Sequence, residues 1–227
     1  WDVRGEFRFG VPTGSVDECI QMALEALDRP VVISDSGDNP TAGGAGDVPF
    51  VLGRLLANGA SDVVYASIPD PAAVTICEKA GVGATVKLLL GGKLDPVNGT
   101  PLQVKGQVLK VQSRPWNLYH TDVTDATNRM AVVQVQGVKV IVTEQRTPFH
   151  RISDFQQLGI EPTKPKVVVV KIGYLEPELK QMASRALLAL SPGAVNQNIQ
   201  DLDFKRISRL MLCCMFDMTW SPPMLRP

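Results

Sequence analysis

The chain has 227 residues, 44% of them hydrophobic and 20% charged, which is enough to bury a core as one large domain or two small ones. Lysine and arginine together number 23, as do aspartate and glutamate, so no net charge attracts nucleic acid or an anionic membrane surface. The longest apolar run falls far short of the roughly 20 residues that cross a bilayer. We therefore predict no nucleic-acid partner and no membrane partner.

Cysteines and histidines are few. The four cysteines are Cys19, Cys77, Cys213 and Cys214, and the two histidines are His120 and His150. Cys19 and Cys77 lie in stretches with helical periodicity, where buried thiols are common, so we expect reduced cysteines and a cytoplasmic protein. Because the sequence starts at Trp1, the presence of a targeting segment ahead of it stays an open question. Two histidines are poor provision for a zinc site, and we predict no metal ligands in this chain.

The first predicted helix follows residues 1–14, which have no periodic pattern. Ser15 and Glu18 form a capping box, in which each side chain bonds the backbone N–H of the other residue, and this pattern starts a helix. One face of that helix would carry Val16, Ile20, Ala23 and Leu27. Pro30 ends it, because proline has no backbone N–H and clashes with the preceding turn.

Short apolar strands and helices then alternate. Residues 31–33 and 63–66 have the composition of buried strands. A helix is predicted over residues 48–58, with Asp47 as its N-cap, and another opens at Asp70, where a proline follows. Strands that alternate with helices in this way favour an α/β layer with parallel pairing.

The middle of the chain is rich in β-branched residues that alternate with polar ones. Strands are predicted over residues 85–90, 102–111, 130–135 and 138–143. Gln136 and Gly137 form a two-residue turn between the last two strands. This pattern predicts an antiparallel β-rich insertion over about residues 83–150.

The α/β pattern returns near residue 155. A strand is predicted over residues 167–172 and a helix over residues 176–190, whose apolar face would include Leu179. We therefore predict one α/β domain over residues 1–227, in which helices flank a mainly parallel sheet that carries the antiparallel insertion.

Residues 35–47, Asp-Ser-Gly-Asp-Asn-Pro-Thr-Ala-Gly-Gly-Ala-Gly-Asp, lie between a predicted strand and a predicted helix. In an open α/β sheet that position is the carboxyl edge, where ligands collect. The glycines allow positive φ and close approach of the backbone, so N–H groups there can hold an anion or polarise a carbonyl. Asp35 and Asp38 add carboxylates that can accept a proton, orient a water molecule or support a metal.

This pattern gives two sets of candidate site residues. Asp35 and Asp38 are the candidate catalytic residues. The candidate substrate-binding residues are Asn39, Gly43, Gly44, Gly46, Asp47 and His120. The alternative is a long turn in which Asp and Asn cap their own backbone and the glycines serve only the conformation. Lys171, on an apolar strand, has three alternatives: it pairs with a buried carboxylate, faces a ligand, or reaches solvent with its ammonium group.

Residues 35–47 are also similar to the signature loop of the C-terminal domain of the MlrC (microcystinase C) family. Shorter segments that match the same family in order lie within residues 70–93, 159–162 and 171–179. The resemblance extends to about residue 209, whereas the tail, residues 210–227, does not resemble the family. Many members carry a histidine near the position of Tyr174, so the role of that histidine is not carried over.

The resemblance implies a two-domain, metal-dependent hydrolase. In that family an N-terminal catalytic domain supplies the zinc ligands, and the C-terminal domain closes and orients the active-site cleft. For this chain it implies a partner in that N-terminal domain, which the chain lacks, and a peptide-like or small amide substrate. Zinc would be bound outside residues 1–227, and the chain alone would be inactive.

Three other expectations remain open beside that function. One is a free-standing module that binds a small anion at the glycine-rich loop. Another is a purely structural or oligomerisation domain. Assembly into a homo-oligomer is compatible with each of these functions.

Overall fold

The computed structural model describes residues 2–6, 8–116, 126–198 and 202. The chain divides into two units, Val11–Gln197 and a smaller one made of Trp1–Gly10 with Asn198–Pro227. The described part of the smaller unit contains a 3-10 helix over Asp2–Gly5. The predictions for His120 and for residues 210–227 fall outside the described residues.

Helices and strands alternate along most of the larger unit. Its described helices are α1 (Val16–Glu25), α2 (Phe50–Ala57), α3 (Pro71–Ala80), α4 (Ile152–Gln156) and α5 (Pro177–Met182). Its described strands are β1 (Thr13–Ser15), β2 (Val31–Asp35), β3 (Ser61–Pro69), β4 (Thr85–Leu90), β5 (Leu102–Trp116), β6 (Ala126–Val135), β7 (Gly137–Thr143), β8 (Val167–Val170) and β9 (Arg185–Leu190). None of these helices has the length and apolar character needed to cross a bilayer.

The nine described strands form one sheet in the order β1-β9-β2-β8-β3-β7-β6-β5-β4. Neighbours from β1 to β7 in that order pair in parallel. The remaining neighbours, β7 with β6, β6 with β5 and β5 with β4, pair antiparallel. Because β7 belongs to both parts, the β-rich insertion extends the same sheet. The predicted α/β fold, mainly parallel with an antiparallel part, is confirmed.

Helices cover both faces of the sheet. On one face, α1, α2 and α3 bury residues such as Ile20, Leu52 and Val74. On the other face, α4 and α5 bury Phe155 and Leu179. Strand β8, a run of four valines, is therefore buried at every position, as is usual for a parallel strand covered on both sides. Each buried aliphatic side chain stabilises the fold by about 1.5–3 kcal/mol.

The predicted starts of α1 and α3 are confirmed. Ser15 Oγ accepts the backbone N–H of Glu18 at 3.3 Å, and a Glu18 carboxylate oxygen accepts the Ser15 N–H at 2.8 Å. At α3, Asp70 Oδ1 accepts the Ala73 N–H at 3.1 Å. Both caps satisfy backbone donors that the first turn of a helix leaves unpaired.

Two details of the predicted helices are wrong. Helix α2 begins at Phe50 with no side-chain cap, because the Asp47 carboxylate bonds a different loop. Leu27 is 98% exposed instead of buried, since α1 ends at Glu25 before the helical face reaches it.

The helix predicted over residues 176–190 is also wrong. Only α5 is helical there, and the second half of the range forms β9 between β1 and β2. A short apolar run such as Leu187–Ala189 fits a buried strand as well as a helix, and here two parallel neighbours supply its hydrogen bonds. No strand was predicted in residues 1–14 or at Ser15. Strand β1 nevertheless forms at Thr13–Ser15 and pairs with β9.

Candidate functional site

The carboxyl ends of the parallel strands meet at one edge of the sheet, and the segments that follow them build the candidate site. The loop after β2, residues 36–49, contains most of the predicted site residues. Residues 144–151 follow β7, Lys171 directly follows β8, and Ser191 directly follows β9. Parallel pairing brings these segments together although they lie far apart in sequence.

Asp35 is the last residue of β2 and is only 1% exposed. Its Oδ1 accepts a hydrogen bond from Ser191 Oγ at 2.6 Å. Its Oδ2 accepts from the Tyr65 hydroxyl at 3.1 Å and from Lys171 Nζ at 2.9 Å. Both carboxylate oxygens are therefore bonded to donors of the protein itself.

Asp38 is fully buried in the 3-10 turn that follows β2. Its Oδ1 accepts the Gly46 N–H at 2.7 Å, and its Oδ2 accepts the Val48 N–H at 2.7 Å and Lys171 Nζ at 3.0 Å. Burial raises the pKa of Asp38, and the nearby ammonium group opposes that effect. Because every contact is with a donor, the carboxylate ties the far end of the loop back to its beginning.

Lys171 is buried and joins both carboxylates. Its Nζ donates to Asp35, to Asp38 and to the carbonyl oxygen of Val48 at 2.8 Å, so all three ammonium hydrogens have acceptors. Burial lowers its pKa, but the attraction of the negative charges, with Asp35 first, outweighs burial and holds the pKa well above its usual value. The ammonium group also lies 5.7 Å from the centroid of the Tyr65 ring. The alternative in which Lys171 pairs with a buried carboxylate is confirmed.

The remainder of the loop after β2 is held by hydrogen bonds within the loop itself. Asn39 Oδ1 accepts the N–H and the hydroxyl of Thr41, at 2.9 and 2.8 Å. The Gly44 N–H donates to Asn39 O at 2.9 Å, and the Gly46 N–H is bonded to the carboxylate described above. These two amides therefore bond within the loop, whereas Gly43 is exposed at the loop tip with a φ of 104°.

Asp47, near the end of this loop, binds a second loop. Its buried carboxylate accepts the N–H groups of three consecutive residues, 93–95, at 2.7, 2.7 and 3.2 Å. A Cβ on Gly91, whose φ is 62°, would lie 2.1 Å from Asp47 O, so only glycine fits there. Asp47 thus fixes the loop after β4, residues 91–101, instead of the start of α2.

An open pocket of about 550 Å³ lies between these two loops. It is lined by Gly43, Ala45, Leu94, Asp95, Val97, Asn98, Arg146 and Ala194. Arg146 follows β7, and its Nη1 donates to Gly44 O at 3.2 Å. Asp35 and Asp38 are not among the lining residues, because their carboxylates point into the protein. A molecule in the pocket would contact a guanidinium group, the loop tip and aliphatic side chains.

Within the described ranges, no three or more His, Cys, Asp or Glu side chains are grouped so that they could hold a metal ion. Asp35 and Asp38 share the ammonium group of Lys171, which engages an oxygen of each and would repel a cation. The donor set around the loop after β2 therefore does not fit zinc.

The structure brings Asp35, Asp38 and the glycine loop together, but it also adds partners that the sequence pattern did not indicate. Tyr65 and Ser191 reach Asp35 only because of the strand order, for which the sequence carries no local signal. Arg146 could have been found, because it follows a predicted strand at the carboxyl edge. His120 lies outside the described ranges.

Comparison with known proteins identifies the family. Residues 33–206, well over half of the chain, match the model of the MlrC C-terminus. The chain belongs to this family.

Two individual relatives are similar to the chain. Microcystinase C from Sphingomonas sp. is 32% identical over 161 residues, which make up 70% of this chain and 31% of that protein. The crystal structure of a candidate metallopeptidase from Mesorhizobium sp. BNC1 has the same fold, with a TM-score of 0.71 and 24% identity over 86% of this chain and 40% of that one. The chain therefore spans well under half the length of either relative.

Proposed function

We propose that this chain is the C-terminal domain of a zinc-dependent peptidase or amidohydrolase of MlrC type, in which it closes and orients the active-site cleft. The family match over residues 33–206 carries the proposal, because it includes the entire loop after β2 and the Lys171 to which that loop is bonded. The names of the relatives, Microcystinase C and a candidate metallopeptidase, support hydrolysis of a peptide-like or small amide substrate.

In this proposal the chemistry is divided between two domains. Amide hydrolysis near neutral pH needs an activated water, and zinc supplies it by lowering the pKa of bound water from about 15.7 to about 7. The zinc ligands belong to a catalytic domain outside this chain. The loop after β2 faces the cleft with its tip at Gly43. Asp35 and Asp38 act as positioning residues, because their oxygens hold Lys171 and the loop backbone.

The alternative functions fit the geometry less well. A free-standing anion-binding module needs N–H groups directed at a ligand, yet the carboxylates of Asp38 and Asp47 already accept two and three of them. A purely structural domain gives no reason for an open pocket beside the loop tip. The free, buried thiols of Cys19 and Cys77 support our proposal of a cytoplasmic location.

The proposal is tested in a protein that carries the catalytic domain ahead of this chain. Ala45→Arg places a long cationic side chain beside the loop tip, and Leu27→Arg places the same side chain at an exposed position in another part of the fold. We expect the two-domain protein to hydrolyse peptide amides and a chelator to abolish this activity. Ala45→Arg should reduce the rate of hydrolysis by about tenfold or more, whereas Leu27→Arg should leave it unchanged. Equal rates in the two variants, or hydrolysis by this chain alone with zinc, would contradict the proposal.

A further inference from the structure

Strand β4 lies at one edge of the sheet. It pairs with β5 on one side, from Thr85 opposite Gln107 to Leu90 opposite Leu102. Within the described ranges, no strand pairs with its other side. The opposite edge of the sheet, β1, has only three residues, whereas β4 has six. An open edge of this length presents a row of backbone donors and acceptors to which another strand can bond.

One hydrogen bond shows which backbone groups of β4 face the open side. The Val108 N–H donates to Ala84 O at 2.9 Å. In an antiparallel pair, alternate residues direct both of their backbone groups to the partner strand, so from Ala84 onward these are the even-numbered residues of β4. The N–H and C=O groups of Thr85, Lys87 and Leu89 therefore point away from β5. An added strand would bond to these three residues.

The side chains of the same three residues lie on the solvent-exposed face of the sheet, because exposed and buried positions alternate along β4. Leu89 is 51% exposed. Lys87 lies directly opposite Lys105 of β5, and both side chains are exposed. In the part of the chain that the structure describes, neither ammonium group has an ion-pair or hydrogen-bond partner. The open edge thus carries two unpaired positive charges beside an aliphatic side chain.

This arrangement of the two lysines is unfavourable in the chain by itself, because like charges directly opposite each other in an antiparallel pair repel. A lysine on an edge strand commonly prevents association with other chains, and this explains Lys87. It does not explain Lys105, since β5 lies inside the sheet. The exposed residues of the paired parts of β4 and β5 include no carboxylate: they are Thr85, Lys87, Leu89, Gln103, Lys105 and Gln107. The negative charge that would offset the repulsion has to come from an added strand.

The charges also decide between the possible occupants of the edge. A second copy that added its own β4 would bring the ammonium groups of both copies together, so repulsion disfavours self-pairing. A neutral strand gains the backbone bonds but leaves the lysine pair without a counter-charge. A strand with a carboxylate opposite Lys87 gains both, because Lys105 lies only one strand spacing, about 4.7–4.9 Å, further in. An aliphatic side chain two residues away would pack against Leu89.

We propose that β4 docks an extended acidic segment of a separate protein, which adds an antiparallel strand to the sheet. The segment carries a carboxylate opposite Lys87 and an aliphatic side chain opposite Leu89. In an antiparallel strand the aliphatic residue comes first and the acidic residue follows two positions later. The backbone bonds provide affinity, and the two lysines provide specificity for acidic segments. The binding requires only this chain and does not depend on the proposed hydrolysis.

The test uses capped hexapeptides of threonine with leucine at the second position and either glutamate or glutamine at the fourth. Each probe is titrated into this chain at low ionic strength, and binding is followed through the backbone NMR signals of residues 85–89. We expect the glutamate probe to bind about fivefold more tightly than the glutamine probe. Added salt should reduce this preference. Methylation of the backbone nitrogen of the glutamate should weaken binding by about tenfold or more, because it removes the donor to Lys87 O.

Variants of the chain test the role of each lysine. Lys87→Gln should remove most of the preference for the glutamate probe, Lys105→Gln should remove part of it, and the double variant should remove all of it. Lys180→Gln, at an exposed position on α5, is the matched control and should leave the preference unchanged. All three lysines are exposed, so the fold should tolerate these substitutions.

Equal affinity for the two probes, no binding of either, or undiminished binding of the methylated probe would overturn the proposal. A preference that survives the double variant would do the same. Broadening of the signals of residues 85–89 as the chain is concentrated without a probe would assign the edge to a second copy instead. In the two-domain protein the glutamate probe should still bind, and its exclusion would assign the edge to the catalytic domain. Binding there without hydrolysis would contradict only the proposed function.

Discussion

The loop after β2 and the loop after β4 meet at the same edge of the sheet but direct their side chains in opposite ways. The carboxylates of Asp35, at the end of β2, and of Asp38, in the loop that follows, point inward to Lys171. In the loop after β4, the backbone is bonded inward to Asp47, while Leu94 and Val97 point outward. Both loops are thus anchored inward, but only the loop after β4 presents large aliphatic side chains to a ligand.

The composition of a loop therefore does not determine which of its side chains a ligand can reach. Carboxylates next to glycines suggested a catalytic role for Asp35 and Asp38. In the structure both carboxylates instead accept hydrogen bonds from a buried ammonium group. A buried charge is tolerated only when it is paired and hydrogen-bonded, so the three charged groups require one another. The comparison predicts that the loop after β2 should respond to changes in the interior, and the pocket to changes at the surface.

The largest expected effect is that of Lys171→Met. The change leaves two carboxylates buried without their cation, and we expect it to lower the free energy of unfolding by about 3–5 kcal/mol. Urea denaturation measures the change. Lys139→Met on the exposed side of β7 is the control, with an expected change of less than about 0.5 kcal/mol. Similar values for the two variants would show that the inward bonds of the loop after β2 contribute little.

Asp47→Asn should separate the two loops. The amide keeps one acceptor and places an NH₂ group against backbone N–H donors, so we expect a loss of about 2–3 kcal/mol. Amide hydrogen exchange should accelerate at residues 93–95 and much less at Gly46 and Val48. Asp17→Asn, which alters an exposed ion pair with Arg54, is the control. Uniform acceleration in both loops would mean that they form a single unit.

Ser191→Ala tests how far the loop after β2 depends on β9. The Ser191 hydroxyl donates to Asp35 Oδ1 and accepts the Gly37 N–H at 2.9 Å, so alanine removes both bonds. We expect a loss of about 1.5–2 kcal/mol in thermal unfolding. Ser184→Ala, in which an exposed hydroxyl loses one bond to Pro30 O, should cost well under half as much. Equal costs would argue against a special role for the buried hydroxyl.

The smallest effect is a dependence on pH. The pKa of Lys171 in the folded protein lies well above the ordinary value of 10.5, so its stabilising contribution is complete below about pH 10.5 and is lost as the pH rises through the folded value. The stability difference between the wild type and Lys171→Met should therefore stay constant from pH 7 to about 10. Above pH 10.5 it should shrink by about 1 kcal/mol per pH unit. A difference that already declines near pH 8 would contradict the charged, paired state of Lys171.

Local features of the fold could be predicted from the sequence, whereas the partners of the site could not. The capping box of Ser15 and Glu18 and the alternation in β4 to β7 are short-range signals, and each is confirmed. The error at β9 arises because an apolar run of five residues, 186–190, fits either structure until its neighbours are known. Lys171 lies 136 and 133 positions from its two carboxylates, and only the strand order brings them together.

The position of β9 has a consequence for the newly made chain on the ribosome. It is the last described strand to emerge, yet it lies between β1 and β2, and β8 likewise lies between β2 and β3. Strands β1 and β2 therefore leave the exit tunnel with unpaired edges, and more than a hundred further residues are synthesised before their neighbours appear. Such edges can pair with other chains, so this interval is the period in which a chaperone would protect the nascent protein from aggregation.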